Sequence, residues 1–561
     1  MPWTRLSPVL LLLCASLAEA AAASAAVPAQ FVARMYTEAL GRAPDAAGWT
    51  SALAYFNANG CSQTLLAQWG GSVLASAEFS SLGYDDAAIT LVLYRAILNR
   101  EPDTAGYQAS LQALSGGESL QTVAAGLFAS SEFTRLVPYI CSGSSYSFGT
   151  LGTGLAIAIP TTRAGGYGNL READLQGLLD STGAGDTVYL QQESVVFLTQ
   201  PLTIPAGVTL ATYGLPGPNR HALMARLIRA VSFAGPMVQI NLDDNPNASG
   251  SLRSVWVDGQ RALATPFVSG AINVEIYGGT NATLDANFLS NSLGWSTVHS
   301  YGSLDGRACA GNTITNNVVT AYASVHANGQ WTDGLSLGCE RSTVTGNQIV
   351  DPTDVGIVVF NAWPAAQQSV VTQNTVVSSG NSAFGAYAFD PLQNRSAGAP
   401  DFTGAAISNN LFWSGPNSHF IIGLSVGSRA WFGSGEIGRG AAAIGNSTAG
   451  IPTNLGAGIV VSGMDSATVQ SNVLNYAPIP GSWTSCSTGK VLASVSAGLA
   501  SGSIQSHADV EVNGCMSDYS PTAAAVVAAP APARTGLCRF AASGAVVCPV
   551  RFHISLRGPR A

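Results

Sequence analysis

Between residues 283 and 475, short apolar runs rich in Val, Ile and Thr keep one phrase: TLDANFLS, TITNNVVT, TVTGNQIV, VVTQNTVV, AISNNLFW and TVQSNVLN. Asn holds the fifth place in each, at Asn287, Asn317, Asn347, Asn374, Asn410 and Asn472, with gaps of 30, 30, 27, 36 and 62 residues. The last gap is about two periods. Runs this short, β-branched and punctuated by Gly and Asn, predict strands. Recurrence near 30 residues predicts coils stacked into a solenoid. The Asn residues are expected at the bends, because Asn tolerates the left-handed conformation and stacked amides can bond along the axis. SVWVDG extends the pattern upstream, with Asp258 placed one period before Asn287.

Residues 31–137 carry a different period. FVARMYTEALGRAPDAAGW and ITLVLYRAILNREPDTAGY are two copies of one motif, 58 residues apart, closed by ASAEFS and ASSEFT. The apolar spacing of Phe31 and Met35, and of Leu91, Tyr94 and Leu98, is helical. The Pro-Asp pairs start the next helix, with Asp as its cap. The repeated LGR-x-PD-x-x-G type resembles a helical domain of unknown function common in bacterial exported and surface proteins, and its pattern is similar to phycobilisome-linker helices. That resemblance implies assembly or surface attachment. Arg42 and Asp45 are read as internal partners. The repeats close before a Gly/Ser-rich linker at 138–160, so a fragment from about residue 160 is expected to fold by itself.

After the linker, Arg171–Leu179 reads as a short amphipathic helix, and DTVYL, VVFL, PLTI and VTL read as strands parted by turns. This opening resembles pectin-lyase-like right-handed β-helices, in which a short helix covers the first coil and shields its open edge. The expected fold class is therefore all-β in its main part, a right-handed parallel β-helix over 161–520, with a small N-terminal all-α domain. Residues 521–561 read as an Ala/Pro-rich linker and a small Cys-clasped tail.

Composition changes the picture in two ways. Only 10% of the 561 residues are charged, 62 are Gly, and the formal charge is −8. This balance suits an exported β-rich protein and argues against a nucleic-acid partner, which needs clustered cations. Residues 1–26 read as a signal peptide, with Arg5, an apolar core from Val9, and an Ala-rich cleavage region. That apolar core is too short to span a bilayer, so no integral membrane segment is expected in the mature chain. The protein is expected to be secreted or at the cell surface. Removing Cys14 with the signal leaves eight Cys, which in an exported chain favours disulfides. Cys309 and Cys339 each precede a repeat Asn by eight residues, so they are expected to bridge neighbouring coils. Cys486–Cys515, Cys538–Cys548 and Cys61–Cys141 complete the expected set.

Candidate chemistry concentrates in residues 326–363. Asp333 and Asp354 each stand just before a strand, one coil apart. Two carboxylates on one edge form either an acid/base pair or a Ca²⁺ site, with one residue of register left open. His326 is the expected further proton carrier. Trp331 and Trp363 are expected to stack on sugar rings, and Arg341 to neutralise a substrate carboxylate. Asp351 is read as a turn residue. In GAYAFDPLQN, Tyr387 and Asp390 resemble the DPHE segment of β-helical alginate epimerases and lyases, where Tyr, Asp and His share proton abstraction. Leu392 and Gln393 stand in place of its His and Glu. The expected function is a polysaccharide-active enzyme (hydrolase, lyase or epimerase) on an extended glycan. The alternative is a non-catalytic adhesin or glycan-binding protein of the cell surface. No cofactor beyond Ca²⁺ is indicated.

Overall fold

The computed structural model describes residues 27–142 and most of 170–478, with the backbone of short strands at 491–493, 504–506, 510–512, 539–540 and 546–547. The signal segment, His326, Trp363, Cys486, Cys515, Cys538 and Cys548 lie outside the described residues.

The main body is a right-handed parallel β-helix of three sheets, which we call A, B and C, with 11, 8 and 10 strands. Each coil runs from A through B to C. One inward column of sheet A shows how the sequence builds the core. Leu210, Leu252, Leu284, Ile314, Val344, Val371, Ile407, Ala443 and Val469 follow one another in register. All are fully buried in a continuous apolar interior. Each larger side chain in such a column contributes roughly 1.5–3 kcal/mol of burial. Helix Glu172–Ser181 covers the first coil, its Leu175 and Leu179 closing the core.

The repeated Asn residues form a ladder inside the A-to-B bend. Side-chain Nδ2 of Asn287 donates to Oδ1 of Asn317, and so on through Asn347, Asn374, Asn410, Asn446 and Asn472, at 2.9–3.0 Å. Each Oδ1 also accepts the backbone N–H of the preceding rung. Asn446 is the rung inside the long gap. It begins an Asn-Ser-Thr sequon, but its amide is fully buried and bonded on both sides. The left-handed residue is not the Asn itself, as expected, but the one before it: Ala286, Asn316, Gly346, Gln373, Asn409, Gly445 and Ser471. A left-handed residue turns the chain, and the following Asn is thereby aimed inward. Asp258 is also placed differently from expectation. It pairs with Ser290, while Val255 takes the Asn position and gives its N–H to Asn287.

Cys309 and Cys339 are bonded across neighbouring coils, with Cα atoms 4.9 Å apart, as the shared coil position predicts. Cys61 and Cys141 are bonded as well, 5.5 Å apart. The last helix of the N-terminal region, Ser131–Ser142, carries Cys141 and runs past the expected boundary at 137.

The two helical repeats are built alike. Arg42 pairs with Asp45 and Glu78, Arg100 with Asp103 and Glu132, and each Arg lies over a Tyr, at 4.9 Å from Tyr36 and 5.0 Å from Tyr94. Arg42 and Asp45 are thus internal partners, and the Glu of the closing ASxEF motif is the third. Where the copies differ, they meet the solenoid. Glu38 stands opposite Ala96 in the alignment, Arg95 opposite Thr37, and Glu101 opposite Ala43. Arg95 pairs with Glu38 and Glu101, and Glu101 pairs in turn with Arg226 of sheet B, which also holds Asp258. Arg226 and Arg95 both lie over Trp256, at 4.0 and 4.7 Å. Burial pushes the Glu101 and Asp258 carboxyls up, but the two guanidinium groups more than offset it and hold both below their usual range. His221, stacked on Phe288 beside this network, is kept neutral by burial and by the two arginines.

Apolar contacts follow the same surface. Val350, Val377 and Trp413 of sheet B share one buried cluster with Phe31, Met35 and Phe56. Gly41, at φ +58°, fits against the solenoid backbone; a Cβ there would sit 2.1 Å from the Pro218 carbonyl oxygen. The equivalent residue of the second copy, Asn99, keeps the same left-handed conformation with a side chain. The helical region is therefore docked broadside on sheet B, so a solenoid cut free near residue 160 exposes a face built to be covered.

Candidate functional site

With sheet B covered by helices, sheet C offers its outer face. Alternation decides which side chains reach it. In strand Val238–Ile240 the two ends are core residues, so Gln239 points out. In Val274–Tyr277, Val274 and Ile276 point in, which sends Glu275 and Tyr277 out. In Ser296–Tyr301, Val298 points in, and His299 and Tyr301 point out. Register then stacks Gln239, Glu275, His299 and Ser336 in one column, and Tyr277 and Tyr301 in the next.

These side chains form a connected cluster. Glu275 accepts a hydrogen bond from Tyr301 at 2.9 Å on one oxygen and from the Gln239 amide at 2.7 Å on the other. The His299 ring stacks on Tyr301, with centroids 3.9 Å apart and planes 13° from parallel, and Trp295 meets its edge at 4.4 Å. Tyr277 lies 4.9 Å from Tyr301. Glu275, Tyr277, Trp295 and Tyr301 are half-buried, and His299 is 6% exposed. Burial lowers the His299 pKa to about 3, so the ring is neutral at neutral pH. Burial first, and then Glu275, push the Tyr301 phenol well up, so it remains a proton donor. Among the described residues no hydrogen bond reaches the His299 ring nitrogens.

The cluster continues into the segment singled out by sequence. Ser336, next to His299 in the column, donates to Asp333 Oδ2 at 2.9 Å and lies 2.8 Å from Ser296 Oγ. Asp333 Oδ1 accepts the Val355 N–H at 3.0 Å, so this carboxylate also fixes the start of the next strand. The register left open is resolved. Leu335 pairs with Ile357, which sets Asp354 one residue away from Asp333 rather than opposite it. Both are buried, at 1% and 5% exposure. Asp351 is a turn residue at φ +58°, accepting the Gly380 N–H.

Other expected residues fall elsewhere. Trp331 packs edge-to-face on Phe384 at 5.0 Å, in an apolar cluster with Val355, Val358, Phe360 and Ala388. That cluster also borders Trp295 and Tyr301, so Trp331 forms a wall of the polar site rather than an exposed sugar platform. Arg341 sits in the turn leaving sheet C, pairs with Glu340 at 2.6 Å, and is not brought to the Glu275 cluster. Tyr387 is corrected outright. It lies fully buried inside the solenoid, its phenol 3.0 and 2.9 Å from the Asn374 and Leu411 carbonyls, and no ligand reaches it there. Asp390 stands three residues on, opposite Phe360, so strand alternation puts the two side chains on opposite faces. Among the described residues no group of three or more His, Cys, Asp or Glu is gathered as a metal site.

Comparison with known proteins adds one family and an architecture. Residues 71–137 match the model of a domain of unknown function, DUF4214. No curated protein matches the chain by sequence. Among solved structures, the chain is similar to the A-module of the mannuronan C-5 epimerase AlgE6 of Azotobacter vinelandii, at 14% identity and TM-score 0.37, over 63% of this chain and 96% of that one. It is also similar to an alginate lyase of Paenibacillus sp. str. FPU-7, at 12% identity and TM-score 0.30, over 60% and 97%. A third is PfbA, a surface adhesin of Streptococcus pneumoniae, at 12% identity and TM-score 0.32, over 55% and 90%. At these identities no chemistry carries over from them.

Proposed function

We propose that the protein is an exported, glycan-active β-helix whose reacting groups lie on the outer face of sheet C. The observation that carries this reading is the Glu275–Tyr301–His299 cluster: a carboxylate aimed by two hydrogen bonds, a phenol that keeps its proton, and a neutral imidazole stacked on it. Such a set can hold and move protons at one point on an extended chain. Tyr277 and Trp295 supply ring faces of the kind sugars pack against. Asp333 is the second carboxylate of the reading, reaching the column through Ser336. Asp354, just before the strand Val355–Phe360, and Asp390, which pairs with the last residue of that strand, are proposed to serve the same face from its two ends. His326 and Trp363 belong to the same stretch of sequence and are proposed to act with this face. Two bonded disulfides accord with export.

The full chain, incubated with a panel of neutral and acidic polysaccharides, is expected to release new chain ends from at least one. Products absorbing in the near ultraviolet mark elimination, and reducing ends without them mark hydrolysis. Binding without products would assign the face to adhesion, and neither binding nor products from any glycan would overturn the reading.

A further inference from the structure

We infer that His299 is the residue of the sheet C face that selects the glycan, through a hydrogen bond between an imidazole nitrogen and one free sugar hydroxyl. This rests on the reading of that face as the glycan site, and it is the same whichever bond chemistry follows.

Placement of the ring is the first observation. Val298 faces the core, so His299 stands on the outer face, with Glu275 and Ser336 on either side of it in the column. Tyr301 stacks on the ring and Trp295 meets it edge to face. Only 6% of the residue is exposed, so the imidazole is held in place and reaches the surface over a small area.

The second observation is that the chain gives the ring no polar partner. Among the described residues no hydrogen bond reaches either nitrogen. The two neighbours able to pair with it are turned elsewhere. Glu275 accepts from Tyr301 on one oxygen and from Gln239 on the other. The Ser336 hydroxyl donates to Asp333 and lies against Ser296 Oγ. A polar group buried without a partner is destabilising, and Phe at this place would stack on Tyr301 free of that cost. His is therefore the worse residue for the fold alone, and its nitrogens are left for a group that arrives from outside.

The chemistry of that group follows from the ring. Burial keeps it uncharged at neutral pH, so one nitrogen carries a proton and the other a lone pair. A hydroxyl both donates and accepts, and so can meet either. Tyr277 and Trp295, half-buried beside the cluster, offer the flat surfaces against which a sugar packs, with hydroxyls projecting from the sugar's rim. A site with a buried partner for one hydroxyl rejects a sugar that lacks it, because the nitrogen is then left unpaired. His299 thus supplies recognition, while Glu275 and Tyr301 carry the proton.

The test uses the full-length protein, calorimetry beside turnover, and whichever polysaccharide of the neutral and acidic panel is bound. His299→Phe keeps the stack on Tyr301 and removes both nitrogens. Its affinity for that glycan is expected to fall about tenfold or more, with any turnover losing more in KM than in kcat. Among singly O-methylated oligosaccharides of the same glycan, one position should cost the unmodified protein as much and cost His299→Phe little further. Nitrogen-15 spectra keep the inference testable should that variant melt early: one histidine ring signal, missing from His299→Gln, is expected to shift when the glycan is added to the unmodified protein. Equal affinity of the two proteins, a loss in kcat alone, methylation costs that ignore His299, or an unmoved ring signal would each overturn the inference and leave the glycan reading standing. Failure of the unmodified protein to bind any glycan would overturn the glycan reading itself, and this inference with it.

Discussion

Replacing Glu101 with Ala is expected to destabilise the whole chain by about 3–5 kcal/mol. Glu101 is the acid shared by Arg95 and Arg226, which are otherwise held by Glu38 and Asp258. Both arginines are nearly fully buried, so neither can turn to water when the shared partner goes. Removing one member of a buried network leaves uncompensated charge, which costs far more than the network contributes when whole. Glu132→Ala is the matched control. It also removes a Glu from a two-oxygen clamp on an Arg, but Glu132 is 31% exposed, so the loss should stay within about 1 kcal/mol. Guanidinium unfolding midpoints for the two variants decide it. Equal midpoints would mean that helices and solenoid are held by apolar contact alone.

Asn374→Leu should cost about 2–5 kcal/mol, though it adds apolar bulk to a buried site. The Asn374 Oδ1 accepts both the backbone N–H and the Nδ2 of Asn347. Its own Nδ2 serves the Val344 carbonyl and the Asn410 Oδ1. Leucine strands two buried donors on one side and leaves a carbonyl short on the other, at roughly 1–3 kcal/mol for each group left unpaired. Asn316→Gly, one residue from the ladder but exposed and at φ +57°, should stay within about 0.5 kcal/mol. Thermal melting separates the two. A neutral Asn374→Leu would show that the ladder merely accompanies the bends.

The solenoid was readable from sequence because the A-to-B bend is the one part of each coil that hardly changes length. Ladder rungs follow at 30, 30, 27, 36, 36 and 26 residues. Asn446 escaped notice because Ser-Thr-Ala follows it where other coils place an apolar run. The Glu275–His299–Tyr301 cluster escaped for a different reason. Connections into and out of sheet C vary, so Val274, Val298, Leu335 and Ile357 pair in register without any fixed spacing. The signal that could have found it is local: VEIY and TVHSY each alternate apolar with polar or aromatic residues, as a half-covered strand does. Asp333 and Asp354 drew attention by standing just before strands one coil apart, but a one-residue register shift separates them, and only the strand pairing supplies it. The helix-to-solenoid ion network was legible in principle as the positions where the two helical copies disagree.

The central claim is that function resides on the outer face of sheet C, at Glu275, His299 and Tyr301. The most direct measurement is turnover of the processed glycan by Glu275→Gln and Tyr301→Phe beside the unmodified protein, with melting temperature recorded for each. Glu275→Gln keeps size and shape and removes the charge; Tyr301→Phe removes the proton donor and keeps the ring stacked on His299. The account predicts turnover lowered about a hundredfold or more in both, with melting within a few degrees of the unmodified protein. Undiminished turnover in both variants would contradict it.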